Sequence, residues 1–105
     1  MPDDQWKAVV ARIAGAKPTE VDLEIVRKRA FRDGDPAAFE ILGYVNATGW
    51  GATADYEKAY EYYGMAFLAG ATHAKENMDR LWTQLSEDAR SRLTAKFEKS
   101  APPKS

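Results

Sequence analysis

Laid over itself at an offset of 36 residues, the sequence pairs Ala30 with Ala66, Phe31 with Phe67, Gly34 with Gly70 and Ala38 with Ala74. Leu42 then falls on Met78 and Val26 on Tyr62. In the other direction Trp6 falls on Leu42, Val10 on Asn46 and Thr19 on Asp55. Self-similarity at a fixed period constrains a chain more than any single motif. Each repeat is one supersecondary unit that cannot bury its apolar face alone, so the units must stack. The small residues Ala and Gly recur where two elements of a unit must approach closely.

Apolar spacing predicts that these elements are helices. Trp6, Val9, Val10 and Ile13 recur every three or four residues and predict a first helix over about 3–14. Pro18 stops what precedes it, and Thr19 with Asp22 forms a weak capping box for a second helix faced by Leu23, Val26, Ala30 and Phe31. Gly34 ends that helix. Asp35 and Pro36 open a third, faced by Ala38, Phe39, Leu42 and Val45. A loop over 46–54 leads to Asp55, the N-cap of a fourth helix bearing Tyr56, Ala59, Tyr62, Tyr63, Ala66 and Phe67, closed by Gly70. Thr72 is expected to cap a fifth helix with Ala74, Met78, Leu81 and Trp82. Ser86 starts a sixth, with Ala89, Leu93 and Phe97 on its face. No segment alternates with period two, so the expected fold class is all-α, about six short helices joined by short connections that favour antiparallel neighbours.

Residues 37 to 74, AAFEILGYVNATGWGATADYEKAYEYYGMAFLAGATHA, resemble the Sel-one-like repeat, a relative of the tetratricopeptide repeat. The family pattern runs A-x3-L-G-x2-Y-x2-G-x-G-V-x2-D-x2-K-A-x2-W/Y-Y-x2-A-A-x2-G-x3-A. Ala38, Leu42, Gly43, Gly49, Gly51, Asp55, Lys58, Ala59, Tyr62, Tyr63, Ala66, Gly70 and Ala74 stand at its positions. The sequence departs from it at Asn46, where a packing tyrosine is usual, at Ala52 for valine and at Phe67 for the second of two alanines. The resemblance implies a short right-handed α-solenoid of antiparallel helix pairs. The degenerate pair would be 3–33, the complete repeat 35–70, and the terminal pair 72–99 with a shortened capping helix. A disordered tail, 100–105, is expected beyond.

Gly49 and Gly51 flank Trp50, and a G-x-G can mark a phosphate-cradling loop. Such a loop follows a strand and carries Lys-Ser/Thr, neither of which is present, and the carboxylate of Asp55 would repel an anion. The glycines read instead as the turn between the two helices of a repeat, supplying φ > 0. Trp50 has no helical register; it either folds back over its own repeat or stands out as an interface anchor.

Charge and composition exclude several function classes. Fifteen Lys and Arg against 16 Asp and Glu leave a net charge of −1, with no field toward nucleic acid or membrane. No apolar run approaches the ~20 residues that span a bilayer, and the acidic start MPDDQWKAVV lacks the apolar region of a signal peptide. Without one, the NAT at 46–48 carries no weight as a glycosylation acceptor. There is no cysteine, which removes disulfides and thiolate metal sites and suits the cytoplasm. With one histidine, His73, no metal or cofactor is expected. His73, Glu76, Asp79 and Arg80 read as a charged helix face with neighbours at i+3 and i+4. Arg27, Lys28, Arg29 and Arg32 read as a solvated face near a helix C-terminus, and Tyr56, Tyr60, Tyr62 and Tyr63 as mainly packing residues.

The resemblance implies a scaffold or adaptor that binds another protein on the concave face of its first helices. With Ala38, Leu42, Gly43 and Val45 as core, the open face carries Ala37, Glu40, Tyr44, Ala47 and Thr48. The 36-residue offset adds His73, Glu76, Arg80 and Gln84, and the first unit Asp4, Ala8 and Arg12. A monomer or weak homo-oligomer is expected. The alternatives are a self-assembling structural protein and a small hydrolase. The hydrolases of this repeat family are cysteine-rich, and here no serine or threonine except Thr72 lies beside the histidine, so no enzymatic activity is expected.

Overall fold

A computed structural model describes the backbone of residues 3–15, 19–49 and 54–100 and the side chains from 5 to 97 within those segments. Six helices follow one another: α1 (Asp3–Ala14), α2 (Glu20–Asp33), α3 (Pro36–Thr48), α4 (Tyr56–Leu68), α5 (Ala74–Trp82) and α6 (Glu87–Ser100). Among the described residues there is no strand. α3 packs most extensively on α4, α4 also on α5, and α2 on α3, whereas α1 and α6 lie at the edges.

The helix boundaries follow from their caps. The Thr19 hydroxyl accepts the Asp22 N–H at 3.1 Å, and the Asp22 carboxylate accepts the Thr19 N–H at 2.9 Å, a complete capping box. α2 ends where Gly34 turns left-handed, at φ 64°, its N–H donating to the Ala30 carbonyl at 3.0 Å. One residue on, Asp35 caps α3 by accepting the Ala37 N–H at 2.9 Å, with Pro36 opening the helix. Asp55 caps α4 through the Lys58 N–H, again at 2.9 Å.

Four sequence expectations are corrected here. α3 continues through Asn46, Ala47 and Thr48 and stops only at Gly49, at φ 74°, so the loop is shorter than 46–54. The Asn46 side-chain amide donates to the Leu42 carbonyl at 2.8 Å, staying within the helix it was expected to leave. Thr72 does not cap α5. His73 occupies that position in helical geometry without a side-chain cap, because the chain has already begun to coil through backbone bonds from Ala74 and Lys75 to the Ala71 and Thr72 carbonyls. Ser100 belongs to α6 and not to a tail, of which 101–105 lie outside the described residues. Phe31 is 57% exposed, its ring touching Phe39 and Tyr62 only edge-on at 5.5 and 6.2 Å between centroids.

The core is made of small residues where helices cross and larger ones between them. Ala30, Ala38, Ala59, Ala66 and Ala74 are all buried, interleaved with Val9, Val26 and Leu42. At Gly43 the approach is closer still: the Tyr63 ring of α4 lies 2.9–3.0 Å from where a Cβ would be. Gly64 of α4 is covered more tightly still by the tip of the Phe97 ring of α6. α6 is further joined to α4 by a fork from Arg92 to Glu57, at 3.1 and 2.7 Å, and by Lys96 to Glu61 at 2.8 Å. Such surface pairs contribute roughly 0.2–1 kcal/mol. Burial of Leu93, 1% exposed, contributes about 1.5–3 kcal/mol and therefore decides where α6 docks. Gly43→Ala is expected to overpack the α3–α4 contact and cost about 1–3 kcal/mol, measured by denaturant unfolding, with a smaller loss for Gly64→Ala because Phe97 sits on a terminal helix.

Asp22 is a buried carboxylate, 1% exposed. Arg12 of α1 grips it with Nε at 2.7 Å and a second guanidinium nitrogen at 2.5 Å. These bonds, with those from Thr19, hold its carboxyl well below the usual carboxylate range against the opposing effect of burial. A lowered folded-state pKa stabilises fully above the ordinary value of about 4. That stabilisation is lost as pH falls below it. Asp22→Asn is expected to lower stability at neutral pH and to flatten its decline in acid, as followed by melting temperature against pH.

Candidate functional site

α1 and α3 face each other across an open groove of about 730 Å³. The helical spacing of α1 carries Trp6, Val10, Ile13 and Ala14 to one wall, and that of α3 carries Ala37, Glu40, Ile41 and Tyr44 to the other. Tyr63 of α4 closes the floor and Asn77 of α5 the end. Val10 and Tyr44, on the two opposing walls, are 37% and 45% exposed.

Two cationic contacts set the α1 wall. The Arg12–Asp22 fork ties α1 to the first turn of α2. The Arg29 guanidinium stacks over the Trp6 ring, 4.3 Å from its centroid, while donating at 2.7 Å to Asp35. Asp35 thus caps α3 with one oxygen and fixes Arg29 with the other. Arg29, expected on a solvated face, is instead half-buried at this junction.

On the α3 wall, Glu40 is 24% exposed, and His73 Nε2 lies 2.6 Å from its Oε1. The His73 side chain is 71% exposed and sits at the rim. Tyr63, buried against Gly43, has its phenol pushed up to about 12, chiefly by burial and then by the negative ends of Glu40 and Tyr44, with Arg80 opposing. Subtracting the alkaline ultraviolet titration of Tyr63→Phe from that of the wild type is expected to isolate a phenol ionising near 12. Because an unfolded tyrosine ionises from about 10, stability should fall as pH rises above that value, and less so in the variant.

The remaining expected site residues are distributed around this groove. Glu76 and Arg80 pair with each other across one helical turn at 3.9 Å, both largely exposed. The Thr48 hydroxyl donates back to the Tyr44 carbonyl at 2.9 Å, at the end of α3. Arg12 is turned to α2 and serves the helix junction, not the open face. Ala38, Leu42, Gly43, Ala59, Ala66 and Ala74 are buried beneath the groove walls or along the α4 contacts. Gly49 and Gly70 hold positive φ at helix ends, and Asp55 caps α4. Trp50 and Gly51 lie outside the described residues.

Sequence reasoning missed the contribution of Trp6, Val10 and Ile13 to the groove. The signal was the width of the α1 apolar stripe: Val9 and Val10 are adjacent, and both cannot face one core. Among the described residues no group of histidine and carboxylate side chains has the geometry of a metal site, and no helix is long and apolar enough to cross a membrane. The chain matches no protein-family model, no curated protein and no solved structure.

Proposed function

We propose that this chain is a protein–protein interaction module, a short right-handed α-solenoid of the Sel-one-like kind that binds a partner peptide or helix along α1, α3 and α5. The observation that carries the reading is the groove itself, with Val10 and Tyr44 exposed on opposite walls. Its volume of about 730 Å³ is within the range of formed binding sites, and a central half-exposed tyrosine is the kind of anchor that dominates interface energies.

The repeat supports the architecture. The small residues related by 36 positions have like environments: Ala30 and Ala66 are 1% and 0% exposed, Ala38 and Ala74 both 0%, and Gly34 and Gly70 both adopt positive φ. The extents of 43 × 31 × 19 Å are those of a flattened body, the shape a short stack of helix pairs would have. The polar groups of the groove are suited to recognition: two phenols, Asn77 and the Glu40–His73 pair. We read the module as a non-enzymatic adaptor or regulatory scaffold, and the absence of cysteine suits a cytoplasmic location.

A second reading, self-association, is favoured by Phe31, Met65 and Leu68, which stand 57%, 38% and 56% exposed around Phe39. They share no residue with the groove. Concentration-dependent mass in sedimentation, abolished by Phe31→Ser, would support it. The leading reading is tested by affinity capture with Tyr44→Ala and Val10→Glu. Each is expected to weaken partner binding about tenfold or more while leaving helicity and melting unchanged. A partner held equally by wild type and both variants overturns it.

A further inference from the structure

Taking the groove as the partner site, we infer that it is built for an amphipathic helix carrying one Lys or Arg, which docks on Glu40 in place of His73. The walls argue for a helix. Trp6, Val10 and Ile13 face Ile41 and Tyr44 across the groove, so whatever lies between them meets apolar surface on both sides. An extended segment would bring unpaired backbone N–H and C=O groups against those walls, with no strand edge among the described residues to receive them. A helix satisfies its own backbone and presents side chains at i, i+3, i+4 and i+7.

Charge argues for the cation. Among the described side chains lining the groove Glu40 alone carries a charge, and it is only 24% exposed. Arg12 and Arg29 are held in short pairs with Asp22 and Asp35, and Arg80, 74% exposed at the rim, leans to Glu76 at 3.9 Å and does not line the groove. On α5, Lys75 pairs with Asp79. The Tyr63 phenol faces the same carboxylate but brings no positive charge. What holds Glu40 is His73, whose side chain is 71% exposed, and so solvated a partner contributes little. An incoming ammonium or guanidinium would meet Glu40 inside the groove, where the docked helix and the apolar walls together would displace water and a charge pair gains more. His73 thus occupies the place beside Glu40 in the unbound protein and yields it on binding.

The test selects helix-biased random peptides on the full chain and measures the enriched sequence as a fluorescein-labelled peptide. Enriched peptides should share an apolar stripe with one Lys or Arg at a fixed place. Replacing that cation by Gln should weaken binding to the wild type about tenfold, yet make no difference to Glu40→Gln. His73→Ala, a change at an exposed side chain, should tighten binding by removing the competitor. An equal loss from the cation in wild type and Glu40→Gln overturns the inference. If Val10→Glu still abolishes binding in that case, the groove itself stands; if Val10→Glu binds normally, or no peptide is enriched, the groove reading falls with it.

Discussion

The most extensive helix packing among the described residues is that of α3 on α4, where the Tyr63 ring rests on Gly43 with no room for a side chain between them. Most other contacts depend on that spacing. It brings Ala38 and Leu42 within reach of Ala59 and Ala66, so that burial is achieved with small residues and little void. It also fixes α4 as the helix on which α5 and α6 pack, the latter through a second glycine, Gly64, under Phe97. A tyrosine placed there serves both sides of the contact. Its ring fills the interhelical space, and its hydroxyl end reaches the floor of the groove beside Glu40 and Tyr44.

Burial of Val9 and Ile13 seats α1 on the core, and polar contacts at the edge of the groove orient it. α1 is placed by the Arg12–Asp22 fork and by Arg29 stacked on Trp6, and these two contacts converge on the ends of α2. Asp22 and Asp35 each cap a helix and bind an arginine. The local signal that starts a helix is therefore also the long-range signal that orients its neighbour. Removing either carboxylate affects two levels of structure at once, and the apolar walls would then lose their relation to each other.

Helix starts and stops were legible in the sequence wherever the cap lies within three residues of its target, as at Thr19–Asp22, Asp35–Pro36 and Asp55–Lys58. Thr72 failed as a cap because backbone coiling through 71–75 overrode the side-chain preference. Of the candidate site, Glu40 and Tyr44 were legible on α3 because the buried residues of that helix leave only one face for them. The pairing of Glu40 with His73 was not, since the two lie on different helices. Nor was the diversion of Arg12 to Asp22, ten residues on across a turn.

By itself the sequence determined six helices, their caps and the small residues at the crossings, because each of these depends on neighbours three or four residues away or on a repeat at fixed offset. Tertiary structure decided which surfaces remain open. Val9 and Val10 are chemically identical neighbours, yet one is 0% exposed and the other 37%. Phe31 and Phe67 occupy equivalent places in the repeat. Phe67 is half-buried among Met78, Trp82 and Leu93, whereas Phe31 stands in solvent. Periodicity states that a side chain is apolar and where it points on its own helix; only the position of the next helix determines whether anything covers it.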